Sequence, residues 1–185
     1  MFFANHIRLN VNILLPIALL SLTAATSAAF SSWNIKQDYQ VKFSGKAAEG
    51  TFEALQGTIV FDPADLASAT MNVSVDVATI DTGNSTKDKH ARGSSWFDAD
   101  AYPKIMFKSS NFRKSDNGYV VRGKLTLHGI TKEIEIPFTF TPDASGGLFE
   151  GGFSVERKEY GIKGNAFGFL VGKTFDVALK VPVGK

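Results

Sequence analysis

The chain has 185 residues, a formal net charge of +2 from 20 basic and 18 acidic residues, and no cysteine. The lack of cysteine excludes disulfides, thiol nucleophiles and thiolate metal sites. The basic residues form no cluster, so the composition gives no support to nucleic-acid binding.

Residues 1–29 predict a secretory signal peptide. They contain His6 and Arg8 but no acidic residue, then an apolar run, then a stretch of alanine, serine and threonine. The apolar run has about 12 residues, fewer than the roughly 20 that cross a membrane. We therefore expect residues 30–185 to form one exported domain in the periplasm.

The first part of this domain predicts β-strands. Val41 and Phe43 alternate with polar residues, which is the period of a half-buried strand. Phe52 and Leu55 are also apolar, but they are out of phase with each other. That change of phase predicts a bulge or bend, and Gly57 is close enough to absorb it.

A polar, turn-rich insert interrupts the strand pattern in the middle of the chain. Val73 and Val75 alternate with polar residues and predict the strand before it. Within the insert, Asn84 or Ser85 has the side chain of a helix N-cap. We therefore expect a short helical insert around residues 84–97.

The rest of the chain predicts four more strands with apolar side chains at every second position. Turn sequences such as Ser115-Asp116-Asn117-Gly118 and His128-Gly129-Ile130-Thr131 separate them. About eight strands joined by short hairpins predict an all-β fold, a single antiparallel barrel. The four apolar rows are Tyr119 to Leu127, Ile134 to Phe140, Phe149 to Val155 and Phe175 to Val181.

The interior of such a barrel has two alternatives. An eight-stranded barrel is either filled by its own side chains or holds one elongated ligand. Gly123 and Gly151 are in phase with the apolar rows, and we expect an inward glycine to leave space for a ligand. The residues alone leave the filled core open, as an envelope stress or interaction module without cargo.

Two separated motifs resemble those of the YceI-like family of bacterial lipid-binding domains. The first runs from Thr82 to Ser109 and contains TG, KD, WFDA, YP and IMFKS; the second is GKLTLHGITKEIEI, from Gly123 to Ile136. The resemblance covers the chain from Trp33 to Val183. It implies a lipocalin-like barrel and a periplasmic carrier for a polyisoprenoid, either a quinone-type or a prenyl phosphate lipid. A membrane is expected as a transient partner, and the oligomeric state is not predicted.

The ligand-binding side chains should be those that point inward from the predicted strands, because a long apolar chain gains free energy from burial. We expect the lining to consist of Phe43, Phe61, Val75, Phe107, Leu125, Leu127, Ile136, Phe138, Phe153, Phe175 and Val177.

The insert supplies two further groups of candidates. Its basic side chains would meet a phosphate or quinone oxygen of a head group, although as a solvated helix face they need no special explanation. Its aromatic side chains would form a lid, or would anchor the insert to the barrel. The head-group candidates are Lys87, His90 and Arg92, and the lid candidates are Trp96, Phe97 and Tyr102.

An enzyme acting on a lipid is the alternative from a different functional class. Asp98, Asp100 or His90 would then act as acid or base. The sequence has no nucleophile elbow, phosphate loop or dinucleotide-binding glycine motif. We therefore expect a binding protein without catalytic residues, cofactor or metal.

Overall fold

A computed structural model describes residues 32–164 and 170–185, and almost all of the regular structure in these ranges is β. The predicted signal peptide, residues 1–29, lies outside the described residues. The strands are β1 (Ser32–Ile35), β2 (Gln40–Gly45), β3 (Ala48–Phe52), β4 (Gln56–Val60), β5 (Thr70–Asp76), β6 (Lys104–Ser115), β7 (Gly118–Leu127), β8 (Ile130–Asp143), β9 (Gly146–Glu156) and β10 (Thr174–Gly184).

The sheet closes into a barrel in which neighbouring strands are antiparallel. From β4 to β10 each strand pairs with the next one along the chain. β1 closes the ring, because it pairs with β4 through Ser32 and Val60 and with β10 through Asn34 and Gly184. β1 and β2 both pair with β10, one after the other, and together form one interrupted strand of the barrel. β3 and β4 form a second interrupted strand, so the ten segments make up eight barrel strands. The predicted eight-stranded antiparallel barrel is confirmed.

Each of these two barrel strands, β1 with β2 and β3 with β4, is interrupted at its middle. The second break separates Phe52 from Gln56, where the sequence pattern changes phase, and Ala54 within it has a φ of 55°. The predicted bend is therefore confirmed. Across the two interruptions, the backbone N–H of Leu55 donates to the hydroxyl of Tyr39 at 3.0 Å. This hydrogen bond joins the two barrel strands where their backbones diverge.

Tight turns connect the long strands. Leu127 pairs with Ile130, so His128 and Gly129 occupy the turn with φ angles of 51° and 74°. Two positive φ values match the right-handed twist of the flanking strands. At the other end of β7, Ser115 pairs with Gly118, so the predicted hairpin over Ser115–Gly118 is confirmed, with Asp116 and Asn117 as its two central residues.

The insert between β5 and β6 covers one end of the barrel, called here the insert end. Its helix α1 (Ser85–Arg92) is shorter than the predicted range of 84–97, because Gly93 and the residues after it form turns. Short 3-10 helices lie at Val77–Thr79 and Arg157–Tyr160. In the described ranges, no helix combines the length and the apolar character that a membrane span requires.

Candidate functional site

The barrel contains a cavity of about 890 Å³ that reaches the insert end. Small-molecule sites commonly have volumes of about 300 to 1,000 Å³. Two clusters of buried apolar side chains contribute to its wall, one around Val41, Phe52 and Val75 and a larger one that includes Ile59 and Phe107. The barrel is therefore filled in one part only, and the filled-core alternative does not describe it.

Ten of the eleven predicted lining residues lie on the wall of this cavity, and Phe61 is the exception. The wall also contains apolar residues that we did not predict. Most of them belong to the same alternating rows, so a stricter use of the two-residue period would have found them. The additional wall residues include Val41, Phe52, Leu55, Ile59, Val73, Ile80, Ile105, Val121, Phe149, Val155, Leu179 and Val181.

Phe61 lies instead at the centre of an aromatic cluster beyond the cavity, at the end opposite the insert. Its side chain is fully buried, with the rings of Tyr119, Phe138 and Phe149 at centroid distances of 5.1, 5.4 and 5.4 Å. We call this cluster the aromatic plug. It consists of Trp33, Phe61, Phe112, Tyr119, Phe138, Phe140 and Phe149.

Of the two inward glycines, Gly123 is not on the cavity wall, contrary to our expectation, whereas Gly151 is. A Cβ atom on Gly123 would lie 2.6 Å from the ring of Phe107, and one on Gly151 would lie 2.9 Å from the Cβ of Phe138. Gly123 is therefore covered by the ring of Phe107 from the neighbouring strand and makes room for that side chain. Gly151 packs closely against β8 and still contributes to the cavity wall, so only one of the two glycines meets the expectation.

Helix α1 forms part of the cavity rim. The side chain of Asn84 accepts hydrogen bonds from the N–H groups of Thr86 and Lys87 at 3.1 and 3.0 Å, which confirms the predicted N-cap. Lys87 and His90 contribute to the wall, whereas Arg92 does not. Arg92 donates to the carbonyl of Ala78 at 3.4 Å, so it contacts the chain that precedes the helix.

A carboxylate holds α1 against the end of the preceding segment. Asp88 accepts hydrogen bonds from the hydroxyl of Thr82 at 2.7 Å and from its N–H at 2.8 Å. These bonds lower the pKa of Asp88 because they stabilise its charged form, and the bond from the hydroxyl has the larger effect. Backbone hydrogen bonds between Asp81 and Thr51 extend the same connection to β3. The rim is therefore anchored to the barrel through polar contacts.

The three aromatic residues of the insert have different positions. Trp96 and Phe97 lie on the cavity wall, and the ring of Phe97 packs edge-on against Phe52 at 5.6 Å. Tyr102 is not part of the wall. Its ring packs against His128 at 4.6 Å, so it contacts the turn between β7 and β8.

Arg157 is a wall residue that sequence analysis missed. Its side chain is only 4% exposed, and it donates to the carbonyls of Ile162, Lys163 and Gly172 at 2.7, 2.8 and 2.9 Å. Burial lowers the pKa of its guanidinium. Its charge also lies 5.1 Å from the ring of Trp96, a cation–π distance. Arg157 therefore fastens the segment after β9 to the insert.

Only one of the three acid or base candidates contributes to the cavity wall. His90 does so from the exposed surface of α1, whereas Asp98 and Asp100 are not among the wall residues. A reaction inside the cavity would require its acid and base to face the reacting atoms. The geometry thus brings apolar surface to a ligand but does not bring these three groups together on it.

Comparison with known proteins gives a family match and several relatives. The model of the YceI-like domain matches residues 23–183. A UPF0312 protein of Vibrio cholerae is 34% identical over 145 residues, which cover 75% of this chain and 75% of that protein.

Solved structures share the barrel. The crystal structure of BcnA from Burkholderia cenocepacia aligns with a TM-score of 0.77 and 25% identity, over 82% of this chain and 100% of that one. A domain of Saccharophagus degradans, described as a polyisoprenoid binding domain implicated in plant cell wall breakdown, aligns with a TM-score of 0.56 and 14% identity, over 85% and 95% of the chains. The second likeness concerns the fold alone.

Proposed function

This chain belongs to the YceI-like domain family, and from that membership and its cavity we propose that it is a binding protein that holds the apolar chain of an amphiphilic lipid inside its barrel. The observation that carries the proposal is the cavity of about 890 Å³, to which β2 through β10 contribute wall residues. A lipid chain that enters this space would be shielded from water on every side.

Burial supplies the affinity in this proposal. Each methylene transferred from water to an apolar site contributes about 0.8 kcal/mol. At the rim, Lys87 and His90 contribute polar groups to the wall from α1. A head group at this place would stay hydrated while its chain is buried. This arrangement supports an amphiphile with its polar end at the insert.

A polyisoprenoid is the class of lipid that we propose, with a quinone or a prenyl phosphate as head group. The relative from Saccharophagus degradans is described as binding a polyisoprenoid, and this description supports the assignment. A phosphate at the rim would have the ammonium group of Lys87 available as a cationic partner. We propose binding without chemical change of the lipid.

Mass spectrometry of bound lipid tests the proposal. The protein is purified from a bacterial periplasm without detergent, and its solvent extract is compared with that of an unrelated periplasmic protein. We expect a prenyl lipid at about one molecule per chain. A clean extract, together with no binding of added prenyl alcohols, would refute the proposal.

Two variants on one strand provide a matched pair for this experiment. Val177 lies on the cavity wall, whereas its neighbour Ala178 is exposed and is not a wall residue. Val177→Trp adds an indole to the cavity, and Ala178→Trp adds the same group to the outer surface. We expect at least a tenfold loss of bound lipid in the first variant and the wild-type amount in the second.

The periplasm is the compartment that we propose, on the basis of the predicted signal peptide in residues 1–29. Expression of the full chain in a Gram-negative bacterium, followed by fractionation and intact mass measurement, tests this assignment. We expect a periplasmic product that starts at Ala29 or Phe30. An uncleaved chain in the membrane fraction would contradict it.

A further inference from the structure

We propose that the aromatic plug is a length stop: the rings of Phe138 and Phe149 end the bore and set the longest apolar chain that the barrel accepts. This inference rests on the proposed function, since it concerns the same cavity. It adds a specificity determinant, namely the chain length of the lipid.

The position of the two rings supports this assignment. Phe138 and Phe149 are the members of the plug that line the cavity, and their centroids are 5.9 Å apart. Phe61 lies behind them, with its centroid 5.4 Å from each. A chain that enters from the insert end therefore meets two phenyl rings backed by a third.

The plug is built to stay in place. Phe61 has no exposed surface and contacts the rings of five other plug members. The indole N–H of Trp33 donates to the backbone carbonyl of Phe61 at 2.9 Å, which fixes that backbone to the first strand. Close-packed interiors resist displacement of one ring, because a shift requires its neighbours to move. The end of the bore therefore has a fixed depth.

The size of the cavity gives the expected length. A water-sized group occupies about 30 Å³ of liquid, so a cavity of about 890 Å³ holds roughly 30 carbon-sized groups. Between Ile130 at the insert end and Phe138, β8 advances along the barrel axis by about 20 Å, given a rise of about 3.3 Å per residue and a tilt of about 40°. Because an extended chain of about 30 carbons is longer than this depth, we expect up to about six isoprene units to be enclosed in a bent conformation.

A series of prenyl alcohols tests the length stop. For the wild type, affinity should rise about fourfold for each methylene-sized group added, until the chain fills the bore, and then stop rising. Phe149→Ala removes a ring from the end of the bore and should move the stop by about one isoprene unit toward longer chains. Val181 lies opposite Phe149 in the register of β9 and β10, and Val181→Phe should move the stop toward shorter chains.

Phe112→Ala is the matched control, because Phe112 belongs to the plug but not to the cavity wall. It removes the same atoms from the same cluster, and we expect the stop to stay where the wild type has it. Circular dichroism and thermal unfolding verify the fold of each variant. If Phe149→Ala does not fold, the chain-length limit is measured in Phe149→Leu and Val181→Phe instead.

The outcomes separate this inference from the proposed function. A stop that is the same in wild type, the folded Phe149 variant and Val181→Phe, with binding retained, would overturn the length stop and leave lipid binding intact. Failure of the wild type to bind a prenyl alcohol of any length would overturn the proposed function itself. Opposite shifts in the two variants, with none in Phe112→Ala, would establish the inference.

Discussion

The indole N–H of Trp33, in the strand that closes the barrel, donates a 2.9 Å hydrogen bond to the backbone carbonyl of Phe61. Trp33 is 8% exposed, and Phe61 is fully buried. One polar contact inside an apolar cluster thus joins the closing strand to the centre of the aromatic plug.

Trp33→Phe should lower the free energy of unfolding by about 1–3 kcal/mol, because it leaves the buried Phe61 carbonyl without its donor. Urea denaturation measures this loss. Tyr119→Phe is the control: it removes a polar atom from the same plug, but no hydrogen bond of the Tyr119 hydroxyl to a described residue is present. Equal losses in the two variants would show that the hydrogen bond is not the cause.

Gly123→Ala should destabilise the barrel by about 1–3 kcal/mol through overpacking. Its Cβ would lie 2.5 Å from the carbonyl oxygen of Lys108 and 2.6 Å from the ring of Phe107. In Gly184→Ala, the atom nearest to the new Cβ is the Cε of Lys36 at 3.2 Å, in a flexible side chain. Thermal unfolding should therefore show a clear loss for the first variant and little change for the second.

Arg157→Lys should cost at least about 2 kcal/mol, because an ammonium group cannot reproduce the guanidinium fork that serves several buried carbonyls. The segment it holds should loosen as well. Gly172 donates its N–H to the carbonyl of Lys46 at 3.0 Å, so faster amide exchange at Gly172 reports this loosening. Lys158→Ala, at the exposed neighbouring position, should leave both readouts unchanged. Wild-type exchange in Arg157→Lys would contradict the prediction.

Asn84→Ala should lower stability by about 1 kcal/mol through loss of the N-cap of α1. Its side chain accepts from two backbone N–H groups at 3.0 and 3.1 Å. Ser85→Ala changes the adjacent, exposed residue inside the helix and serves as control. Chemical denaturation compares the two. Because alanine has the highest helix propensity, Ser85→Ala should not lower stability, and an equal loss in both variants would show that the cap is not its cause.

Asp143→Ala should remove part of the acid sensitivity of the protein. The backbone N–H of Ser145 at 2.7 Å, followed by its hydroxyl at 3.0 Å, lowers the pKa of Asp143 below its ordinary value of 3.8. A lowered pKa stabilises the fold above pH 3.8, and this contribution disappears as the pH falls through the folded-state pKa.

Denaturant midpoints for wild type and Asp143→Ala, measured as a function of pH, check this sign. The two curves should differ near neutral pH and approach each other below pH 3.8, where the carboxyl becomes protonated. Parallel curves through the acid range would show that the Ser145 contacts do not favour the charged form.

Sequence periodicity predicted the barrel because its strands follow a strict two-residue pattern. Ile136 and Phe138 point inward and are buried, while Glu135 and Pro137, which alternate with them, are exposed. Hairpin positions followed from the chemistry of turns. The bend after Phe52 could be located because a change of phase is visible in the sequence itself.

The depth of the cavity could not be predicted in this way. Phe61 and Phe138 each follow an isoleucine two positions earlier in the sequence, yet one is at the centre of the plug and the other faces the cavity. Their difference lies in height along the barrel axis, which depends on register between strands. Arg157 did have a signal, because it continues the inward phase of Val155. A charged residue at an inward position indicates either a ligand or a set of carbonyls to satisfy.

Closure of the barrel by its first strand also has a consequence for folding. Asn34 in β1 pairs with Gly184 in β10, so this contact joins positions separated by 150 residues, the difference of the two numbers. Such nonlocal pairing slows folding, because the entropy of a very large loop is lost before the contact contributes. Until β10 is added, β9 and β2 each present an unpaired edge that other chains can bind. We therefore expect refolding to slow and aggregation to increase when β10 is weakened, even by changes that leave the cavity wall intact.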